Sequence, residues 1–375
     1  MFRSEFFFDF KLTLTLMALC LVAHVGTAMS AEEQRPTPGK STVSFQFRTP
    51  FAPSLGYAPA FVAQELYWPK LNLEGKALQG KGSAAAVQTV AAGSEQMGYS
   101  AVTSIAAGIQ QGLPIKVIAV VQRRDPTALI FLKESGIREI KDVIGKRVGS
   151  FPGGATTPLF RAMLRRAGID EKTVQIVNVP PGGTIPVLLE KRVDAVAEFA
   201  GGGDLRMGCM GYKMGNIPSA SLGLDIYGQA VFVNTKWAEQ VGDNVVARAL
   251  LGFIRGSMLV KSNPERAIQI INSLFPESPR DRIQEWAKVG IALPAEQSPD
   301  SRVLREKGFG WVDEGEMDRT QKVLLDSGLI DKVIDPRSYY TNKYLEQPEL
   351  RQAAMEWLRT PWSDLPAEIK KQCGL

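Results

Sequence analysis

The sequence predicts an α/β chain folded as two doubly wound lobes hinged about a shared cleft. Three observations predict it. Apolar segments of strand length alternate with helical segments at the spacing of βαβ units. At Gln122-Arg123-Arg124-Asp125-Pro126 the composition turns abruptly polar, and a second alternating series starts. A late strand, Tyr227 to Val233, follows that second series and supplies a return crossing. Two crossings make a clamshell, with ligand held between the lobes where strand ends and helix N-termini converge.

Val43, Phe45 and Phe47 alternate with Ser44, Gln46 and Arg48, the period-two pattern of a half-buried strand. Two prolines and Ser54-Leu55-Gly56 break it, and an apolar helix resumes from Tyr57 to Glu65. The intervening loop therefore sits at the carboxyl end of a first strand, where open α/β sheets bind ligands. Leu71 to Gln79 reads as a second strand, Ser83 caps a helix, and Gln96 to Tyr99 is a short third strand. Ser100 to Thr103 opens the next helix, and Ile115 to Val121 is a β-branched run of the kind buried in parallel sheets. In the second series, Thr127 to Leu132, Lys146 to Gly149, Val174 to Val179 and Val193 to Ala197 read as strands. Pro158 to Ala167 and Ile185 to Lys191 read as helices between them, and Glu198 ends the last strand before the flexible run Gly201-Gly202-Gly203. The remainder is mostly helical: Asp243 to Lys261, Pro264 to Leu274 and Glu314 to Ser327. The expected layout is lobe 1 from residues 31–125 and 229–345, lobe 2 from 126–228, and a helical tail, 346–375, packed on lobe 1.

Residues 1–30 are expected to leave the fold. An apolar run from Leu12 to Val25, too short to span a bilayer, leads to small residues at Ala28 and Ser30, the pattern of a cleaved secretory signal. The only histidine, His24, and Cys20 leave with it, so His-dependent triads and His-ligated zinc are excluded. Cys209 and Cys373 remain, and allow either one disulfide or two separate thiols. With 22% charged residues and a formal charge of +5, and no Lys/Arg stripe interleaved with aromatics, nucleic acid is not an expected partner.

Four segments carry a family resemblance: TPFAPSLGYAPAFVAQE, GSEQMGYSAVTSIAAGIQQGLPIKVIA, ESGIREIKDVIGKRVGSFPGG and YYTNKYL. Through them the chain, from about Val43 to Leu345, resembles the periplasmic solute-binding proteins of ABC importers, in the group that takes nitrate, sulfonates, taurine and thiamine-pyrimidine precursors. The resemblance implies the type II periplasmic-binding-protein clamshell and a periplasmic location. It also implies a monomeric, non-enzymatic receptor that hands a small organic solute to membrane permease subunits, with no cofactor or metal. Ligand sensing for a membrane receptor, and a pyrimidine-synthase-like enzyme, are the alternatives. The implied pocket segments are Arg48 to Tyr57, Tyr99 to Thr103, Phe151 to Thr157 and Glu198.

Within them, Arg48 offers a planar charged fork for a carboxylate or sulfonate, or else forms a salt bridge. Phe51, Tyr57 and Tyr99 offer rings that stack on a ligand or fill the core. Ser100, Thr103, Thr156 and Thr157, with Gly154, lie at predicted helix starts, where they cap the helix or meet an anionic group. Glu198 accepts from a ligand donor or pairs with an arginine such as Arg48. The expectation is an anionic or zwitterionic solute, with a pyrimidine as the other class.

Overall fold

The computed structural model describes residues 42–297 and 301–374. The expected signal segment lies outside the described residues. The chain starts with β1 (Val43–Arg48), α1 (Ala58–Leu66), β2 (Leu73–Leu78), α2 (Ser83–Ala91), β3 (Met97–Ala101), α3 (Val102–Gln110) and β4 (Ile115–Val120). It crosses to β5 (Thr127–Leu132), β6 (Arg147–Ser150), α4 (Thr156–Arg166), β7 (Gln175–Asn178), α5 (Thr184–Leu189), β8 (Ala195–Phe199), α6 (Gly203–Cys209) and β9 (Met214–Pro218). It returns through β10 (Gln229–Asn234). Helices then follow: α7 (Thr235–Val241), α8 (Asp243–Ser262), α9 (Pro264–Leu274), α10 (Arg282–Ala287), α11 (Leu293–Gln297) and α12 (Arg302–Lys307). The last are α13 (Glu314–Asp326), α14 (Pro348–Arg359) and α15 (Ala367–Cys373).

The strands form two five-stranded sheets, ordered β2-β1-β3-β10-β4 and β7-β6-β8-β5-β9. Each follows one rule. β1 pairs in parallel with β2 and β3, while the returning β10 lies antiparallel between β3 and β4. β6 pairs in parallel with β7 and β8, while β5, fresh from the crossing, lies antiparallel between β8 and β9. In each sheet the strand order reverses beside β1 or β6, and a ligand crevice opens at such a switch point.

The alternation in β1 buries Phe45 and Phe47 completely or nearly so, at 3% and 0% exposure. Burying one such phenylalanine contributes roughly 1.5–3 kcal/mol. Phe47 stacks on Phe253 of α8 at 5.6 Å, and Trp68 donates from Nε1 to the Ala249 carbonyl at 2.9 Å. The long apolar α8 thus backs the first sheet.

Several local readings need correction. β3 runs through Ser100 and Ala101, where the sequence suggested a helix start, because Ser100 pairs with Ala230 and Ala101 with Gln229 across β10. The stretch from Gly201 is not a loose run. The Asp204 carboxylate accepts from the Gly201 and Leu205 amides at 2.6 and 2.9 Å and from Asn216 Nδ2 at 2.7 Å, which fixes α6 against the unexpected strand β9. Cys209 and Cys373 are joined in a disulfide.

Candidate functional site

The first crossing, Gln122 to Pro126, and the second, Ile226 to Gln229, run side by side. Gly228 donates its amide to the Gln122 carbonyl and Asp125 to that of Ile226, both at 2.9 Å. Between the lobes, in front of these crossings, lies a cavity of about 400 Å³, within the range of small-molecule sites. The β1–α1 loop supplies Phe51, Ala52, Ser54 and Tyr57, and the β2–α2 loop Gln79 and Gly80. From the second sheet come Phe151, Gly154, Ala155 and Thr156 after β6, then Pro181, Gly182 and Thr184, and finally Glu198 and Phe199 at the end of β8.

Local chemistry shapes these walls. The Thr49 hydroxyl donates to the Phe51 carbonyl at 2.9 Å, and the Tyr57 amide reaches the Ser54 carbonyl at 2.8 Å, turning the chain into α1. Pro59 suits the first helical turn because its missing N–H has no intrahelical partner to lose. A row of rings runs from the core to the cleft: Phe253–Tyr99 and Tyr99–Tyr57 at 5.8 Å, Tyr57–Phe51 at 6.2 Å, then Phe51–Phe151 at 6.3 Å from one lobe to the other. The lobes also touch at Gly82, whose φ of +121° favours glycine and where a Cβ would lie 2.5 Å from the Gly153 carbonyl.

The wall is mostly apolar, with Ser54, Gln79, Thr156 and Thr184 as its neutral polar residues and Glu198 as its one acid. Glu198 accepts from Thr184 Oγ1 at 2.6 Å and from the Phe199 amide at 2.9 Å. Burial raises its pKa above the ordinary glutamate value, and these two bonds pull the other way. No lysine or arginine is among the described residues that line the cavity. The Tyr57 hydroxyl, held by Gln229 Nε2 at 3.4 Å, is pushed up by burial and so stays protonated. Behind the wall, at the crossings, burial raises Glu296 to about 8 and Asp125 to about 6. The Glu296 side chain accepts from Gln122.

Of the residues the sequence singled out, Phe51, Tyr57, Gly154, Thr156 and Glu198 meet in this one cavity. The others do not line it. The Arg48 guanidinium binds the buried Glu95 carboxylate and donates to the Gln79 carbonyl at 2.5 Å, so it braces the wall from outside. Its salt-bridge reading is the one the geometry gives. Tyr99 lies behind Tyr57, and its buried hydroxyl has no hydrogen-bond partner among the described residues. Ser100 donates to the Ser83 carbonyl at 3.0 Å, tying β3 to α2, and Thr103 is buried in α3. Thr157 donates to the Phe151 carbonyl at 2.5 Å, leaving Ser150 to donate to the Thr157 oxygen, also at 2.5 Å. That pair shapes the loop without facing the cavity. Sequence reasoning missed Gln79, Gly80, Pro181, Gly182, Thr184 and Phe199. The Pro180–Thr184 turn is visible as a turn, but nothing local says that it closes on a cleft.

A family model described as "NMT1/THI5 like" matches residues 55–267, more than half of the chain. The chain belongs to the NMT1/THI5-like family. The matched span starts inside the β1–α1 loop and runs past both crossings, so it includes nearly the whole cavity wall of this NMT1/THI5-like protein. Among curated relatives, riboflavin-binding protein RibY of Chloroflexus aurantiacus is 22% identical over 246 residues, 65% of this chain and 68% of RibY. A 4-amino-5-hydroxymethyl-2-methylpyrimidine phosphate synthase of Legionella pneumophila is 28% identical over 124 residues, but the match spans only 33% of this chain and 39% of that protein. The periplasmic aliphatic sulphonate binding protein SsuA of Escherichia coli superposes with a TM-score of 0.61 at 15% identity, over 80% of this chain and 92% of SsuA. The fold is thus that of the periplasmic solute-binding proteins.

Proposed function

We propose that this protein is the solute receptor of an ABC import system and that its solute is a flat heteroaromatic molecule carrying a hydrogen-bond donor. The observation that carries the reading is the wall itself: Phe51, Tyr57, Phe151 and Phe199 around a single carboxylate, with no cation among the described lining residues. Aromatic walls stack on a flat heteroaromatic ring, whereas a sulfonate or carboxylate would have only the α4 N-terminus to offset its charge in a cavity that already holds the Glu198 carboxylate. Glu198 accepts from a ring N–H or an amino group. The N-terminus of α4, with Gly154 and Thr156 at the cavity, favours the partial negative charge of a carbonyl or ring nitrogen on the opposite edge. The clamshell fold supports capture between the lobes and delivery to permease subunits, and the expected secretory segment supports a periplasmic location.

This reading departs from the anionic solute expected from Arg48, because Arg48 is engaged by Glu95 instead. The names of RibY and of the pyrimidine phosphate synthase support a heterocycle. The synthase name also raises an enzymatic reading, against which stands the lack of any histidine beyond His24. Isothermal titration against riboflavin, 4-amino-5-hydroxymethyl-2-methylpyrimidine, taurine and an alkanesulfonate tests the proposal. Micromolar or tighter binding of a heterocycle, with none of the sulfonates, is the expected result; binding of the sulfonates alone overturns it.

A further inference from the structure

The disulfide connects parts of the molecule that the two crossings do not. Cys209 ends α6, which is fixed to the second sheet through Asp204 and Asn216. Cys373 ends α15, and the other end of α15 is held by residues outside the second sheet: Ile369 is fully buried in a cluster with Leu55 of the β1–α1 loop, Val62 of α1, Ile268 of α9 and Trp286 of α10. Ahead of α15, Ser363 donates its amide to the Lys261 carbonyl at 2.9 Å and its hydroxyl to the Ser262 carbonyl at 2.7 Å, at the end of α8. The bond therefore joins one lobe covalently to the other.

It lies at a seam that touches closely at one point and elsewhere encloses a cavity of about 530 Å³, lined among others by Asp125, Gly201, Asp204, Ala292, Glu296 and Cys373. At Gly201, with φ +78°, a Cβ would lie 2.2 Å from the Ala292 Cβ, so the turn after β8 rests directly on the π-helical segment Lys288–Ala292 before α11. Four residues on, the Glu296 carbonyl accepts from the Arg123 amide at 2.9 Å, and its carboxylate holds Gln122 in the first crossing. The segment from α10 to α11, with α15, is a strap that lies on the hinge at one end and is bolted to α6 at the other. The seven residues of α6 carry the bolt about 10 Å from its start.

We infer that the Cys209–Cys373 bond is a covalent stop on lobe opening, holding the ligand-free receptor close to its closed form. A disulfide keeps its two Cα atoms within about 7 Å of each other. Because the bond sits about one α6 length from the Gly201–Ala292 contact, the lobes cannot swing apart on this side beyond a small rotation while it is intact. A receptor so restrained needs little conformational change to bind, and the cost of closing that an open clamshell incurs is reduced. The inference depends on the two-lobe fold and not on which solute is bound.

The test is small-angle scattering of the ligand-free full-length protein after secretion, oxidised and after dithiothreitol, together with the double variant Cys209→Ser/Cys373→Ser. Dithiothreitol delivers two electrons and two protons to the pair and leaves as its own cyclic disulfide, giving two thiols. The oxidised form is expected near the radius of gyration of a compact chain of this length, about 20 Å, and both unlinked forms about 1 Å larger. Hydrogen exchange decides whether that increase is opening. Under the proposal, exchange rises in residues 199–209 and 288–297 while 363–369 stays protected. Equal radii in all three forms, or exchange that rises only in the tail, overturns it. Circular dichroism melts show that the double variant is folded before either readout is taken.

Discussion

The two lobes present different chemistry to the same cavity. The first contributes two rings, Phe51 and Tyr57, with Ala52, Ser54, Gln79 and Gly80, backed by Tyr99 and Phe253 in a sheet whose strands β3, β4 and β10 are almost wholly buried while β1 and β2 are partly exposed. The second contributes two rings of its own, Phe151 and Phe199, with the start of α4, the Thr184 hydroxyl and the Glu198 carboxylate, on a sheet whose edge strand β7 is largely exposed. Both lobes thus supply rings, and the charged acceptor comes from the second alone. Rings need rigid backing to hold their planes. A carboxylate needs donors to remain charged where water is scarce, and Thr184 with the Phe199 amide provides them.

Five substitutions at four positions sharpen or break this division, each measured by titration with riboflavin or whichever heterocycle binds. The largest effect is expected at the contact between lobes: Gly82→Ala sets a methyl against the Gly153 carbonyl, and affinity falls about 100-fold with circular dichroism unchanged. Unchanged affinity would show that the lobes do not close on the ligand. Next, Glu198→Ala removes the charged acceptor and costs roughly 1.5–3 kcal/mol of binding.

The milder Glu198→Gln gives a pH test. Burial raises the Glu198 pKa, so its ionised form, and with it affinity for a donor ligand, is lost as pH falls through that raised value. For stability the sign is opposite: the folded state holds the proton more tightly than the unfolded chain, so stability declines as pH rises from the ordinary glutamate range through the raised pKa. Glu198→Gln is expected to flatten both profiles; a wild-type binding curve already flat from pH 4 to 8 would remove Glu198 from recognition.

A smaller loss, about 0.5–1.5 kcal/mol beyond lost contact area, is expected for Phe51→Ala, a stacking effect independent of pH. Smallest of all on affinity is Arg48→Ala, within about twofold. Its effect is on stability instead, because Glu95 is left buried and unpaired at a cost of roughly 1–3 kcal/mol or more, visible as a lower melting temperature. A large affinity loss with no change in melting would return Arg48 to the pocket.

What could be read along the chain follows the range of the interactions. The alternation of β1, the β-branched run of β4 and the proline that opens α9 are local signals, and each element forms where its pattern lies. Strand β9 and helix α6 escaped because both are short and lack a clear apolar period, while the Asp204 carboxylate of α6 ties the helix start to Asn216 of β9. Glu198 was legible as a strand-end acid, and Phe51 and Tyr57 as loop rings beside a switch point. Arg48 misled because its partner Glu95 lies 47 positions away, and nothing local announces the pairing.

The sequence by itself determined the alternation of strands and helices, the break at Gln122 to Pro126 and the absence of histidine chemistry after residue 24, since each depends on neighbours within a few positions or on composition. Only the tertiary structure decided which side chains face the cavity, that Arg48 is spent on Glu95, and that Cys209 meets Cys373 across 164 positions. Those outcomes rest on how two sheets and a helical strap are brought together, and a contact between distant segments leaves no periodic trace in either one.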